Sequence, residues 1–135
     1  MSNKIRGLGG IFIYSNDPKK LGEWYTKHFG IDTSAGEPYG VIYCEYRYED
    51  KDDPNGYASI SWSILKADKE IDRTNPSFCV NYRVDDLDEF AAYLQDNGIE
   101  VNEIQEHPEG KFTRIKDPEG NQIELWEPTK EFFER

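Results

Sequence analysis

Apolar positions along this chain change period in a fixed order, and the order occurs twice. The run Gly9-Gly10-Ile11-Phe12-Ile13-Tyr14 has the β-branched and aromatic content of a strand. Asn16-Asp17-Pro18 follows, an N-cap candidate with proline at the first helical position. Leu21, Trp24, Tyr25 and His28 then recur at the three-and-four spacing of one helix face, and Gly30 stands where a left-handed C-cap is wanted. Ile31 begins an extended stretch. Val41 to Tyr48 reads as a strand, Glu49 to Asn55 as a charged turn, and Tyr57 to Leu65 as another strand. In that strand Ser59, Ser61 and Ser63 alternate with Ile60, Trp62 and Ile64, which separates a polar face from a core face.

The second half repeats the plan. Phe78 to Val84 predicts a strand, Asp85-Asp86 a cap, and Leu87, Phe90, Ala91 and Leu94 one helix face. Gly98 closes this helix and Ile99 resumes extension. Gly110 to Lys116 and Gln122 to Trp126 are strand patterns joined by the breaker-rich turn Asp117-Pro118-Glu119-Gly120-Asn121. Each half therefore reads β-α-β-β-β, with the second helix offset from the first by 68 residues. One such half cannot cover its own sheet, so the expectation is one α+β domain over 1–135. Its modules span about 5–65 and 77–128, with a linker at 66–76 and a tail at 129–135. Leu21, Trp24, Tyr25, Ile60, Trp62, Ile64, Phe90 and Leu94 are core by period. In the tail, Phe132 and Phe133 are candidates to pack on the domain or on a second subunit.

Composition changes this picture in three ways. A net charge of −11 repels phosphate backbones and anionic lipid, which argues against nucleic-acid or membrane-surface partners. Nine Tyr, seven Phe and three Trp are more aromatics than a disordered acidic chain carries, and more than a small core needs, which points to a cleft. Cys44 and Cys79, without an export signal or a membrane-length apolar run, read as free thiols in the cytoplasm.

The run Asp117-Pro-Glu-Gly-Asn-Gln-Ile-Glu-Leu-Trp-Glu-Pro128, with the strand–helix opening from Asn16 to Ile31, resembles the vicinal oxygen chelate superfamily. That group holds glyoxalase I, extradiol dioxygenases and bleomycin-resistance proteins. The resemblance implies two β-α-β-β-β modules forming a cup-shaped, eight-stranded mixed sheet flanked by helices, usually in a homodimer. It also implies metal ligands on the first and last strand of each module. Carried over residue by residue, those places fall on Gly10, Ser61, Cys79 and Glu124, and only Glu124 is filled as the metal enzymes fill it. One carboxylate, one thiol, one hydroxyl and one glycine do not make the three or four nitrogen and oxygen ligands of a catalytic site. His28 and His107 match no ligand place. The expectation is therefore no metal or other cofactor; a divalent nickel, zinc, iron or manganese ion, if one binds, would use Glu124.

Alternation then divides the last strand, with Gln122, Glu124 and Trp126 toward the cup and Ile123 and Leu125 toward the helices. A carboxylate in a cup needs a cation, a donor or a ligand. Glu124 is thus either an acid/base residue or half of a structural pair, for which Arg83 is a candidate. Phe12, Tyr14, Ser61, Cys79, Asn81, Arg83, Gln122 and Trp126 are the candidate ligand-binding residues. Cys79 and Ser61 lack the His or Asp that would activate them as nucleophiles. The facing of Tyr43 and Glu45, and of Phe112 and Arg114 against Lys111, Thr113 and Ile115, stays open. The pattern supports a metal-independent small-molecule binding protein. The alternative is a lyase or isomerase of the glyoxalase type working through Glu124.

Overall fold

The computed structural model describes residues 5–134, and the chain divides into two compact units, Met1–Ile71 and Asp72–Arg135. The first unit runs β1 (Gly10–Ser15), α1 (Pro18–Phe29), a 3-10 helix (Ser34–Tyr39), β2 (Ile42–Glu49) and β3 (Tyr57–Lys66). The second runs β4 (Val80–Arg83), α2 (Leu87–Asp96), β5 (Gln105–His107), β6 (Gly110–Lys116), β7 (Gln122–Pro128) and α3 (Lys130–Glu134).

The helix boundaries follow from the caps. Asp17 accepts from the Lys20 amide at 3.2 Å, Pro18 occupies the first turn, and Gly30 ends α1 at φ 69°. In the second unit the cap is Asp86, which accepts from the Glu89 amide at 3.0 Å, and α2 stops at Asn97 with Gly98 at φ 78° beyond it.

The first unit forms a three-stranded sheet ordered β1-β3-β2, with β1 parallel and β2 antiparallel to β3. The second forms a four-stranded sheet ordered β4-β7-β6-β5, with β4 parallel and β6 antiparallel to β7. The triplets β1-β3-β2 and β4-β7-β6 thus share order and sense, which is the internal duplication made visible in topology. The α+β class holds, with seven strands in the described residues where the repeat pattern predicts eight. The stretch after Ile31 makes no strand, because Gly36-Glu37-Pro38-Tyr39-Gly40 places breakers and a missing proline amide where a ladder would need donors. It winds instead into the 3-10 helix, started by the Asp32 carboxylate accepting from the Ser34 amide.

Each sheet buries one face under its helix. Leu21, Gly22 and Tyr25 of α1 are buried in the same core as Ile13, Trp62 and Ile64, and Tyr25 meets Trp62 edge-on at 5.0 Å. Leu87, Ala91 and Leu94 of α2 are buried, as are Ile115, Ile123 and Leu125 on one face of the second sheet. A fully buried side chain of this kind contributes about 1.5–3 kcal/mol. Glu127 on β7 accepts from the Leu87 amide at 2.8 Å and so ties α2 to its sheet. Three expected core residues, Trp24, Ile60 and Phe90, are only half-buried.

The motif turn is structural. Asp117 is buried, and its carboxylate accepts from the amides of Glu119 and Asn121 and from the Asn121 side chain at 2.7–3.0 Å. Arg73 donates to the Asn121 side-chain oxygen on the same turn. The DPEGN segment therefore sets the β6–β7 register, and through it the position of Glu124.

Candidate functional site

With one face of each sheet committed to a helix, the chemistry lies on the other. In the second sheet the register sets Asn81 opposite Glu124, and Glu124 opposite Arg114. The next row is Arg83, Trp126 and Phe112, and Gln122 pairs with Lys116 at the other end. Strand alternation puts all of these on the face away from α2, since their neighbours Ile115, Ile123 and Leu125 are in the core. Lys111 faces the helix side, where its ammonium bonds Asp88 of α2 at 2.7 Å; that carboxylate raises the lysine above its usual range. The facing of β6 is thereby settled: Phe112, Arg114 and Lys116 belong with Glu124.

Glu124 is already engaged. The Asn81 side-chain amide donates to Oε1 at 2.9 Å, and the Arg114 guanidinium meets Oε2 at 3.4 Å. The row is a polar clasp across three strands, with Arg114 half-exposed and Glu124 more covered. The pairing partner is Arg114, not Arg83, because Arg83 sits one row along, opposite Trp126.

Trp126 has its own fixings. Its indole N–H donates to the Glu109 carbonyl at 3.0 Å, and Phe112 lies nearly parallel to it with centroids 6.1 Å apart. Phe132 of α3 meets it at right angles at 4.9 Å, and Phe133 at 6.4 Å. The tail phenylalanines thus pack on their own unit, and His107 completes the cluster against Phe112 at 5.7 Å.

In the first sheet the corresponding row is Gly10, Ser61 and Glu45, followed by Phe12, Ser63 and Tyr43. Ile42, under Gly22 of α1, marks the opposite face, so Tyr43 and Glu45 share the serine face. Ser61 and Ser63 hydroxyls lie 3.3 Å apart, and Phe12 and Tyr14 are more than half exposed.

These placements decide how well a metal fits. A Cβ on Gly10 would stand 2.8 Å from the Ser61 carbonyl oxygen and 3.2 Å from the Phe12 ring, so the histidine or glutamine of a metal site has no room there. Ser61 offers one hydroxyl. Cys79 precedes β4 and is outside the ladder, while the residue directly beside Glu124 is Asn81, a donor that occupies the carboxylate. Among the described residues no three His, Cys, Asp or Glu side chains converge on a point. The donor set does not suit the superfamily's metal. His28 stands on α1 beside Trp24, its pKa lowered by burial and by Lys27.

The amino-acid order leaves the facing of Phe112 and Arg114 undecided, although Thr113 and Ile115 beside them carry the signal of a core face. It did not foresee a cavity of about 560 Å³ in the first unit, lined by Lys19, Gly22, Glu23, Thr26, Val41 and Ile42 among others. That cavity opens where the 3-10 helix replaces a strand.

The fold has many counterparts among solved structures. TnmS3, an antibiotic binding protein from Streptomyces sp. CB03234, is 21% identical with a TM-score of 0.59, over 93% of this chain and 98% of its own. A glyoxalase-family protein from Bacillus anthracis is 19% identical with a TM-score of 0.61, over 96% and 100%. A lactoylglutathione lyase from Agrobacterium tumefaciens is 17% identical with a TM-score of 0.58, over 91% and 94%. No curated protein matches the chain. No helix among the described residues is long and apolar enough to cross a membrane. The family description Glyoxalase/Bleomycin resistance protein/Dioxygenase superfamily matches residues 7–125, and with the duplicated strand–helix topology it places this chain in that superfamily.

Proposed function

We propose that this chain binds a small molecule on the faces of its sheets away from α1 and α2 and works without the superfamily's usual metal or any other cofactor. The observation that carries the reading is the state of the four metal places: Gly10 has no room for a side chain, Ser61 is a hydroxyl, Cys79 is off the ladder, and Glu124 is clasped by Asn81 and Arg114. What remains is a set of half-exposed aromatics beside a few oriented polar groups, the mixture from which ligand sites are built. The similarity to an antibiotic binding protein supports the same reading at the level of fold. From the resemblance alone we also infer a homodimer, which sedimentation velocity of the purified protein tests.

The competing reading is a lyase or isomerase using Glu124 as acid, base or metal ligand. Its support is that Glu124 stands at the one place filled as in the metal enzymes. Two measurements separate the readings. Equilibrium binding against aromatic metabolites and cationic glycopeptides should find a ligand, and its affinity should not change on adding a chelator. Elemental analysis should find no stoichiometric nickel, zinc, iron or manganese. Stoichiometric metal that disappears in Glu124→Gln, together with a turnover that the same substitution abolishes, would establish the enzyme instead.

A further inference from the structure

The chain as a whole carries −11, yet the β4-β7-β6 ladder carries more cations than acids on its face away from α2. Within the β4-β7-β6 ladder that face bears Arg83, Arg114 and Lys116 and a single carboxylate, Glu124. Arg114 is paired with it, at 3.4 Å. Arg83 and Lys116 are exposed and have no carboxylate within ion-pair distance among the described residues. Cations elsewhere in this unit do find acids: Lys111 has Asp88, Arg73 has Glu119 and Lys130 has Glu134. The excess is therefore local to one face, and it runs against the sign of the molecule.

Beside these cations stands an aromatic platform. Arg83 is the direct register partner of Trp126, whose other neighbour is Phe112. The indole is pinned by its bond to the Glu109 carbonyl and by Phe132, so the ring is held before any ligand arrives. A planar guanidinium recognises a carboxylate through two parallel N–H bonds. The Gln122–Lys116 pair lies two rows farther along, beyond the Glu124 row, about 13–14 Å away at about 3.4 Å per residue, so Lys116 acts on a ligand at Arg83 only through its field.

We propose that this face selects an aromatic carboxylate, with the carboxylate on Arg83, the ring against Trp126 and Phe112, and Lys116 adding long-range attraction. The proposal rests on the small-molecule reading above and narrows it to one charge and one shape. The ligand's charge then opposes what the net charge alone would attract, because the field at the face is set by the nearest charges and distant ones are screened.

The test is isothermal titration calorimetry of the full chain with three probes that share one ring: 2-naphthoate, neutral 2-naphthamide and cationic 2-naphthylmethylammonium. Naphthoate should bind about tenfold or more tightly than the amide, the size expected for a charge-assisted bond. Arg83→Gln should remove that preference, bringing naphthoate down to the affinity of the amide, and Lys116→Gln should weaken naphthoate by a smaller factor that vanishes at high salt. Arg83 is exposed, so thermal melts should show both variants folded. Tighter binding of the amide or the ammonium would overturn the charge assignment and leave the small-molecule reading standing. Equal preference in Arg83→Gln would overturn the anchor. Failure of all three probes would overturn the aromatic-acid proposal, while the broader ligand panel judges the parent reading separately.

Discussion

The two sheets of this chain are built alike on one side and differently on the other. On their helix sides, Leu21, Gly22 and Tyr25 are buried with Ile13, Trp62 and Ile64, and Leu87, Ala91 and Leu94 with Ile115, Ile123 and Leu125. On their free sides the rows Gly10–Ser61–Glu45 and Asn81–Glu124–Arg114 occupy the same topological place with unrelated chemistry. One is a gap beside a hydroxyl; the other is a clasped carboxylate. The following rows, Phe12–Ser63–Tyr43 and Arg83–Trp126–Phe112, differ again, by a guanidinium. Duplication has kept what folding requires and varied what a ligand would touch. A residue's face therefore says more about its role than its chemical type does.

That comparison breaks first at its tryptophans. Trp62 is fully buried against Tyr25, so Trp62→Ala should cost about 3–5 kcal/mol in urea unfolding. Trp126→Ala, on the free face, should cost much less stability and should abolish ring binding. Equal stability losses would show that the two faces are not divided as described.

The gap at Gly10 gives the next effect. Gly10→His drives a Cβ into the Ser61 carbonyl and should destabilise by about 1–3 kcal/mol, with no gain in nickel affinity by calorimetry. A stable variant that binds nickel would mean that the place was merely empty.

Smaller still is the clasp. Arg114→Ala removes a half-exposed ion pair and should cost no more than about 1 kcal/mol in the same unfolding assay. A loss several times larger would make Glu124 a structural residue rather than part of a ligand face.

The smallest effect belongs to the edge of the first sheet. Burial and the neighbouring Cys44 thiol push the Tyr46 phenol up to about 12 from its ordinary 10. A raised phenol favours the neutral form in the fold, so its contribution to stability is complete below pH 10 and is lost as pH rises through 12. Absorbance near 295 nm should show one of the nine tyrosines ionising after the others, and Tyr46→Phe should remove that late step.

How much of this the amino-acid order carried follows the same division. Caps and helix faces were legible because Asp17, Pro18 and Gly30 act within one turn of the residues they fix. The polar face of β3 was legible because serine and isoleucine alternate strictly. The strand expected after Ile31 was lost to Gly36 and Pro38, whose local demands outweigh a weak apolar pattern. The partner of Glu124 was not legible, since it depends on a β6–β7 register that the Asp117 turn sets through three side-chain bonds. Arg83 and Arg114 both stand beside β7, and only pairing across strands distinguishes them.

The central claim is that the free face of the second sheet receives the ligand. Chemical-shift mapping of the labelled full chain during naphthoate titration tests it most directly. Asn81, Arg83, Phe112, Glu124 and the Trp126 indole N–H should move together, while Ile115, Ile123 and Leu125 stay still. Shifts confined instead to Lys19, Glu23, Thr26 and Val41, around the cavity beside α1, would contradict it.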